Sequence, residues 1–139
     1  MDPVSSSAAA TPLQYQCDFL DAGTTDWEIW ISTGFRSAHD PEDRLHLVCG
    51  FHDDEEAAIE GLYLERKDQA QGGTGLLEEA VLHADRLCLR LTARGVTVLG
   101  FPCDRVELLF PSDPERVAKV VEQAQAMREE PNGQRMRLA

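Results

Sequence analysis

The sequence has few basic residues: 13 Lys and Arg stand against 25 Asp and Glu among 139 residues, which gives a net charge of -12. Binding to a nucleic-acid backbone requires clustered Lys and Arg, so we expect no nucleic-acid partner. No apolar run approaches the roughly 20 residues that span a bilayer. The first residues, MDPVSSSAAATP, also lack the basic and apolar regions of a secretory signal. These absences predict a cytoplasmic protein without membrane contact.

Cysteine is scarce as well, and none of its positions forms a CxxC pair. In a protein without a secretory route, an even number of cysteines does not indicate disulfides. Each cysteine lies in an apolar or strand-like stretch, where a free thiol behaves as a small hydrophobic group. We therefore expect buried, reduced thiols at Cys17, Cys49, Cys88 and Cys103.

Motifs for catalysis or for metal and cofactor binding are also missing. His46 and His52 flank one predicted strand and would stand about 20 Å apart along it, too far for one metal ion. The acidic run at 52–56 lacks the glycine-interrupted spacing of a calcium loop. The GGTG turn at 72–75 lacks the Lys-Ser/Thr pair of a phosphate-binding loop. We expect no catalytic residue, no cofactor and no metal site.

The chain contains short segments in which every second residue is apolar. This period of two is typical of half-buried strands. In DWEIWIS, one set of side chains faces the core while Glu28, Trp30 and Ser32 face the other way. The predicted inward-facing residues along the chain are Tyr15, Cys17, Phe19, Trp27, Ile29, Ile31, Leu45, Leu47, Cys49, Phe51, Leu62, Leu64, Leu87, Leu89, Leu91, Val106, Leu108 and Phe110.

One helix is predicted after Pro111. SDPE forms a capping box, in which the Ser112 hydroxyl accepts from the Glu115 amide, and Pro114 suits the first turn. A single apolar stripe with helical spacing follows, which is typical of a helix that lies on a sheet. The stripe consists of Val117, Val120, Val121, Ala124 and Met127.

These segments predict one α+β domain at residues 13–128: a mostly antiparallel, twisted β-sheet of about six strands with a C-terminal α-helix packed on one face. Residues 1–12 are rich in Ser and Ala, and residues 129–139 contain Pro and an Asn-Gly pair. We expect both to be flexible tails.

The acidic residues are concentrated in the first half of the chain. Residues 1–65 contain 14 Asp and Glu against Arg36 and Arg44, whereas acidic and basic residues balance in 66–139. We interpret two acidic loops as a docking face for a basic protein partner, with Trp30 as its aromatic anchor. The alternatives are a solubilising surface for the acids and a strand covered on both faces for the tryptophan. The candidate partner-binding residues are Trp30, Asp40, Glu42, Asp43, Asp53, Asp54, Glu55, Glu56 and Glu60.

Residues 62–127 carry a resemblance to a known family. The series LYLERKDQ, GLLEEAVLHADRLCLRLTARGVTVLG and DRVELLF, followed by the capped helix, resembles small immunity proteins of bacterial polymorphic-toxin systems, in particular the tenth numbered immunity family. In that family a short segment ending in Leu-Gly precedes a strand, as Leu99 and Gly100 do here. The resemblance implies a binder that neutralises a toxin and has no catalytic residues.

Our hypothesis from the sequence is a non-enzymatic protein that neutralises a cognate bacterial toxin through its acidic surface. The alternative is an acidic, dimeric chaperone for secreted effector proteins, which has a similar size and pI. Such chaperones normally open with a helix, whereas residues 13–33 here predict strands. Both a monomer and a homodimer remain open at this point.

Overall fold

Alternation of apolar and polar residues produces strands along most of the chain. The computed structural model describes residues 11–38, 40–51 and 61–139. The strands in these ranges are β1 (Leu13–Thr24), β2 (Glu28–Phe35), β3 (Asp43–Gly50), β4 (Tyr63–Arg66), β5 (Gly72–Gly73), β6 (Leu77–Leu82), β7 (Arg86–Leu91), β8 (Arg105–Leu109) and β9 (Met136–Leu138). The helices in the same ranges are α1 (Ala93–Leu99) and α2 (Pro114–Arg128), with 3₁₀ turns at Gln69–Gln71 and Pro131–Gly133.

All of these strands belong to one sheet, in the order β5-β4-β3-β2-β1-β8-β7-β6-β9. The pairs β1–β8 and β6–β9 are parallel, and the other neighbouring pairs are antiparallel. The predicted α+β class is confirmed, but the sheet is larger than six strands and is not strictly antiparallel. Two strands that no alternating pattern reveals, β5 and β9, have only two and three residues.

Strand β1 joins the two halves of the sheet. Residues 13–16 pair with β8, and residues 17–24 pair with β2. A bulge between Cys17 and Phe19 shifts the register, so Cys17 and Leu20 are both buried while Phe19 is 47% exposed. The prediction that Tyr15, Cys17 and Phe19 share a face is therefore wrong at Phe19, because an extra residue in a bulge reverses the faces beyond it.

The inner face of the sheet forms the hydrophobic core much as the alternation predicts. Trp27 is an exception, because it lies in the turn before β2 and is 75% exposed. Phe51 and Phe110 are only partly buried, although they pack against the core. The predicted inward-facing residues that are buried include Ile29, Ile31, Leu45, Leu47, Cys49, Leu62, Leu64, Leu87, Leu89, Leu91, Val106 and Leu108.

Helix α2 packs against β1, β2 and β9. Its predicted stripe is confirmed at Val120, Ala124 and Met127, which are fully buried. The predicted cap is wrong by one residue: the Asp113 carboxylate, rather than the Ser112 hydroxyl, accepts from the backbone N–H of Arg116 at 3.2 Å. Asp and Ser are equally good caps, so the spacing of SDPE alone could not select between them. Within the described residues, neither helix combines the length and the apolarity that crossing a lipid bilayer requires.

The chain after α2, where the sequence predicts a flexible tail at 129–139, continues into a turn and a short strand. A 3₁₀ turn leads into β9, which pairs with β6 and buries Met136. The turn needs glycine at position 133, because a Cβ there would lie 1.8 Å from the carbonyl oxygen of Met127. The Pro-Asn-Gly sequence therefore marks a tight return of the chain onto the sheet.

We predict that Gly133→Ala lowers the free energy of unfolding by about 1–3 kcal/mol, because the added methyl group forces the backbone of this turn apart. Gly50→Ala is the matched control, since among the described residues a Cβ at position 50 meets nothing within 4 Å. It should change stability by less than about 0.5 kcal/mol. Urea denaturation of both variants measures the difference, and equal midpoints would contradict the close approach of residues 127 and 133.

Candidate functional site

Four of the nine candidate partner-binding residues lie in the described part of the chain: Trp30, Asp40, Glu42 and Asp43. The other five, Asp53, Asp54, Glu55, Glu56 and Glu60, lie outside the described residues. The described four do not form one surface. Trp30 lies in the middle of β2, whereas the three acids lie in and after the loop that joins β2 to β3.

Asp43 is a buried residue, which corrects its assignment to an exposed docking face. Its side chain is inaccessible and accepts from Arg66 Nη2 at 2.7 Å and from Arg66 Nε at 3.2 Å. Burial by itself disfavours the charged carboxylate, but hydrogen bonds from Arg66 and Ser37 and the charge of Arg66 hold the pKa of Asp43 below its ordinary value. The carboxylate is thus ionised, paired and unavailable to a partner.

Asp40 is also engaged within the chain. Its carboxylate accepts from the backbone N–H of Glu42 at 2.8 Å and lies 3.2 Å from Lys67 Nζ. These interactions, the backbone hydrogen bond first, lower the pKa of Asp40. Glu42 is exposed. Two of the three acids near this loop are therefore neutralised by basic residues of a later segment, and the acidic field predicted here is weak.

Trp30 lies on the outer face of the sheet, as the alternation predicts. Its ring stacks on His46 with the centroids 5.9 Å apart and 25° between the planes. It also lies over Gly23, where a Cβ would come within 2.9 Å of the indole. Trp30 is therefore half-buried by its neighbours in the sheet, and it contributes a packed, partly exposed aromatic surface.

A cleft of about 440 Å³ lies beside Arg66, with Tyr15, Ser37 and Lys67 in its wall. The guanidinium of Arg66 is held by Asp43, donates to the carbonyl oxygen of Leu99 at 2.9 Å and lies 4.0 Å from the centre of the Phe101 ring. Burial raises the pKa of Tyr15, so its phenol stays protonated near neutral pH. These groups support packing and offer no activated nucleophile or base.

The cysteines are all free, and Cys17 and Cys49 are buried as predicted, whereas the prediction of burial is wrong for Cys88 and Cys103, which are only partly buried. Burial raises the pKa of Cys17 to about 12 and the pKa values of Cys49 and Cys88 to about 11. These thiols are protonated at neutral pH and are poor nucleophiles. In the ranges that the structure describes, no three His, Cys, Asp or Glu side chains are grouped so as to hold a metal ion.

The sequence interpretation missed Trp27, which is the most exposed large aromatic side chain of the described residues. It lies in the turn between β1 and β2, where Thr25 Oγ1 accepts from the backbone N–H groups of Trp27 and Glu28 at 3.1 Å each. A hydrogen bond from Thr25 N–H to the Glu28 carbonyl oxygen closes the turn at 2.8 Å. We call residues 25–28 the hairpin tip. The polar run Thr24, Thr25 and Asp26 was the available signal for a turn at this point.

The hairpin tip lies beside both ends of the acidic segment 51–60. The Trp27 carbonyl oxygen accepts from the Phe51 N–H at 3.1 Å. The Asn132 side chain then bridges the two ends: its amide N–H donates to the Gly50 carbonyl oxygen at 3.0 Å, and its oxygen accepts from the Gly61 N–H at 3.2 Å. The residue that precedes the segment with the densest acidic sequence is thus bound to the backbone of Trp27.

Comparison with known proteins gives no match to a family model, to a curated protein or to a solved structure. The resemblance of residues 62–127 to an immunity family therefore stays a prediction.

We predict that Asp43→Asn lowers the free energy of unfolding at pH 7 by about 3–5 kcal/mol, because it leaves the Arg66 charge buried without its partner. The folded-state pKa of Asp43 is lowered, so its contribution to stability is present above about pH 4, the ordinary carboxyl range, and is lost as the pH falls through the lower folded-state value. The difference between wild type and variant should shrink over that acidic range.

Urea denaturation between pH 3 and pH 7 measures this difference. Asp40→Asn, at the more exposed pair with Lys67, is the control and should leave the curve nearly unchanged. The double change Asp43→Asn with Arg66→Met should restore part of the lost stability, because no buried charge remains. A difference between wild type and Asp43→Asn that does not vary with pH would contradict a buried ion pair.

Proposed function

We propose that this chain is a non-enzymatic binding protein that captures a basic protein partner at the hairpin tip, and that it neutralises a bacterial toxin in the manner of an immunity protein. The observation that carries the proposal is the exposure of Trp27, at 75%, on a turn fixed by hydrogen bonds from its own backbone. The hydrogen bonds of the turn fix the backbone that carries the indole, which reduces the ordering that binding requires, and tryptophan is strongly enriched among residues that dominate binding energy.

Charge at the hairpin tip supports a basic partner. Asp26 is exposed and Glu28 partly exposed on either side of Trp27. Glu130 is close to the end of β3, where its charge adds to burial in raising the pKa of Cys49. The sequence between Phe51 and Gly61 also contains Asp53, Asp54, Glu55, Glu56 and Glu60, which lie outside the described residues. Such a concentration of carboxylates accelerates association with a cationic surface.

The acidic residues at the opposite end of the first four strands are a less suitable docking site for a basic partner. There Asp40 and Asp43 are paired with Lys67 and Arg66, so little net negative charge is left. A docking face that spans both acidic loops is therefore not what we propose. The proposed surface is the hairpin tip, and Asp53, Asp54, Glu55, Glu56 and Glu60 stay candidate partner-binding residues on the sequence alone, since they lie outside the described residues.

Among the roles that a binding protein can have, we propose toxin neutralisation because residues 62–127 resemble an immunity family. An immunity protein needs a stable scaffold and a binding surface, and it needs no catalytic group of its own. The saturated donors around Arg66 and the protonated thiols of Cys17 and Cys49 are consistent with such a scaffold.

We predict that Trp27→Ala weakens binding of the partner by about 30-fold or more, the loss typical of a dominant interface residue. Phe19→Ala is the matched control, because Phe19 is also an exposed aromatic residue but lies on the outer face of β1. Capture from a lysate of the native cells identifies the partner, and calorimetry with the purified partner gives both affinities.

Co-expression of the partner with this chain tests neutralisation: the wild type should rescue growth, and the Trp27→Ala variant should not. Equal losses for both variants, or a partner without basic character, would rule out the hairpin tip.

We further predict that reversing Asp26 and Glu28 to Lys slows association about 10-fold at low ionic strength, because it removes the attractive field at the tip. Reversal of the four acids at 53–56 should act in the same direction and flatten the salt dependence. The control with the same change in charge is Glu42→Lys with Asp104→Lys, two exposed residues in loops that precede β3 and β8. Stopped-flow mixing at several salt concentrations measures the rates; the idea fails if tip and control variants slow equally.

A further inference from the structure

A second surface lies on the outer face of β7 and β8, away from the hairpin tip. Arg90 of β7 and Arg105 of β8 are directly opposite each other in the antiparallel register, and both are exposed. Like charges at directly opposite positions of a sheet are destabilising. The pair therefore opposes folding unless a negative group lies between the two guanidinium groups.

The neighbouring carboxylates supply only part of that negative charge, because each is shared with another residue: the hydrogen bond from Arg137 lowers the pKa of Glu79, and the charge of Arg90 adds to that effect. Glu79, opposite Arg90 on β6, is bound to Arg137 with a distance of 2.8 Å between Oε2 and Nη1. Glu107, two residues after Arg105, accepts from Arg86 and from Gln14, each at 2.8 Å. Within residues 11–38, 40–51 and 61–139, Arg105 forms no ion pair. The two arginines thus keep positive charge available on a protein whose net charge is strongly negative.

The surface between the arginines is concave and partly apolar. A groove of about 270 Å³ is lined by the two arginines, by Pro12, Val81 and Cys88, and by Glu79 and Glu107, whose carboxylates are paired with Arg137 and Arg86. Burial and the nearby Glu107 raise the pKa of Cys88 to about 11, so the thiol adds no negative charge at neutral pH. We call this surface the β7–β8 groove.

We infer that the β7–β8 groove binds an acidic segment of a partner protein, in which two carboxylates two residues apart on an extended chain meet Arg90 and Arg105. Guanidinium groups bind carboxylates through paired hydrogen bonds. Alternate residues of an extended chain lie about 7 Å apart on one side, a spacing that two opposed arginine side chains can span. The inference does not depend on the hairpin tip or on toxin neutralisation.

The groove favours a peptide over other anions. A nucleic acid would meet the repulsion of a molecule with a net charge of -12 and gain only two arginines in return. A free inorganic anion would leave Pro12, Val81 and Cys88 uncovered, whereas the residue between two acidic side chains of a peptide can lie over them.

The test is an NMR titration of the full chain with a capped heptapeptide, Ser-Gly-Glu-Val-Glu-Gly-Ser, and with its Gln-Val-Gln counterpart. The acidic peptide should shift the amide signals of β7 and β8 in a saturable manner, and the Gln peptide should not. Arg90→Gln and Arg105→Gln should each weaken binding about 5-fold or more, because each removes one guanidinium-carboxylate pair. Arg36→Gln, an exposed arginine in the loop after β2, and Trp27→Ala should leave the titration unchanged.

A stability measurement completes the test. Arg105→Glu places a carboxylate opposite Arg90, so it should raise the melting temperature by about 1–4 °C while it abolishes binding of the acidic peptide. A fall in melting temperature would show that the arginine pair has a structural role and would overturn the inference. Equal shifts with the Gln peptide, with inorganic phosphate or with a short single-stranded DNA would overturn the assignment to an acidic protein segment.

Discussion

The buried guanidinium of Arg66 connects strands β3 and β4 to the end of α1, and the contacts around it are the constraint on which the arrangement of these elements depends. It lies at the end of β4, binds Asp43 at the start of β3 and donates to the Leu99 carbonyl oxygen at the end of α1. It also lies against Phe101, whose ring packs at a tilt against that of Tyr15 from β1. One side chain therefore links the first four strands to the segment that leads into β8. Because a buried charge is costly without its partners, these contacts are mutually dependent.

This arrangement also explains how much of the structure the sequence predicts. Alternation identifies the inner faces of the longer strands, because burial on one side of a sheet imposes a period of two. It fails at Phe19, where a bulge reverses the faces, and at Trp27, where a hydrogen-bonded turn interrupts the pattern. It cannot show that Asp43 pairs with Arg66, 23 residues further along the chain. Nor can it show that Asn132, in a stretch with the composition of a loop, bridges Gly50 and Gly61.

Folding therefore redistributes the charge that the sequence places in the first half of the chain. The ion pairs of Asp40 and Asp43 neutralise much of one end of the first four strands. Asp21, inside β1, is likewise paired with Arg116 of α2 at 2.8 Å. Asp26, which is exposed, and Glu28, which is partly exposed, lie beside the 75% exposed Trp27, the most exposed aromatic group of the described residues. A sequence-wide count of acids is thus a poor guide to a docking surface, because pairing depends on which strands become neighbours.

The hairpin tip and the β7–β8 groove, as proposed, would together determine which partner proteins the chain selects. A field of carboxylates attracts basic proteins in general, since steering depends on charge and little on shape. An exposed indole adds a requirement for a matching apolar site, and a positive groove elsewhere repels basic regions that approach in the wrong orientation. Discrimination between partners needs such unfavourable alternatives as well as favourable contacts. If one partner engages both the hairpin tip and the β7–β8 groove, it must carry a basic patch and an acidic segment at a fixed separation. A protein that is merely cationic would satisfy only half of that requirement.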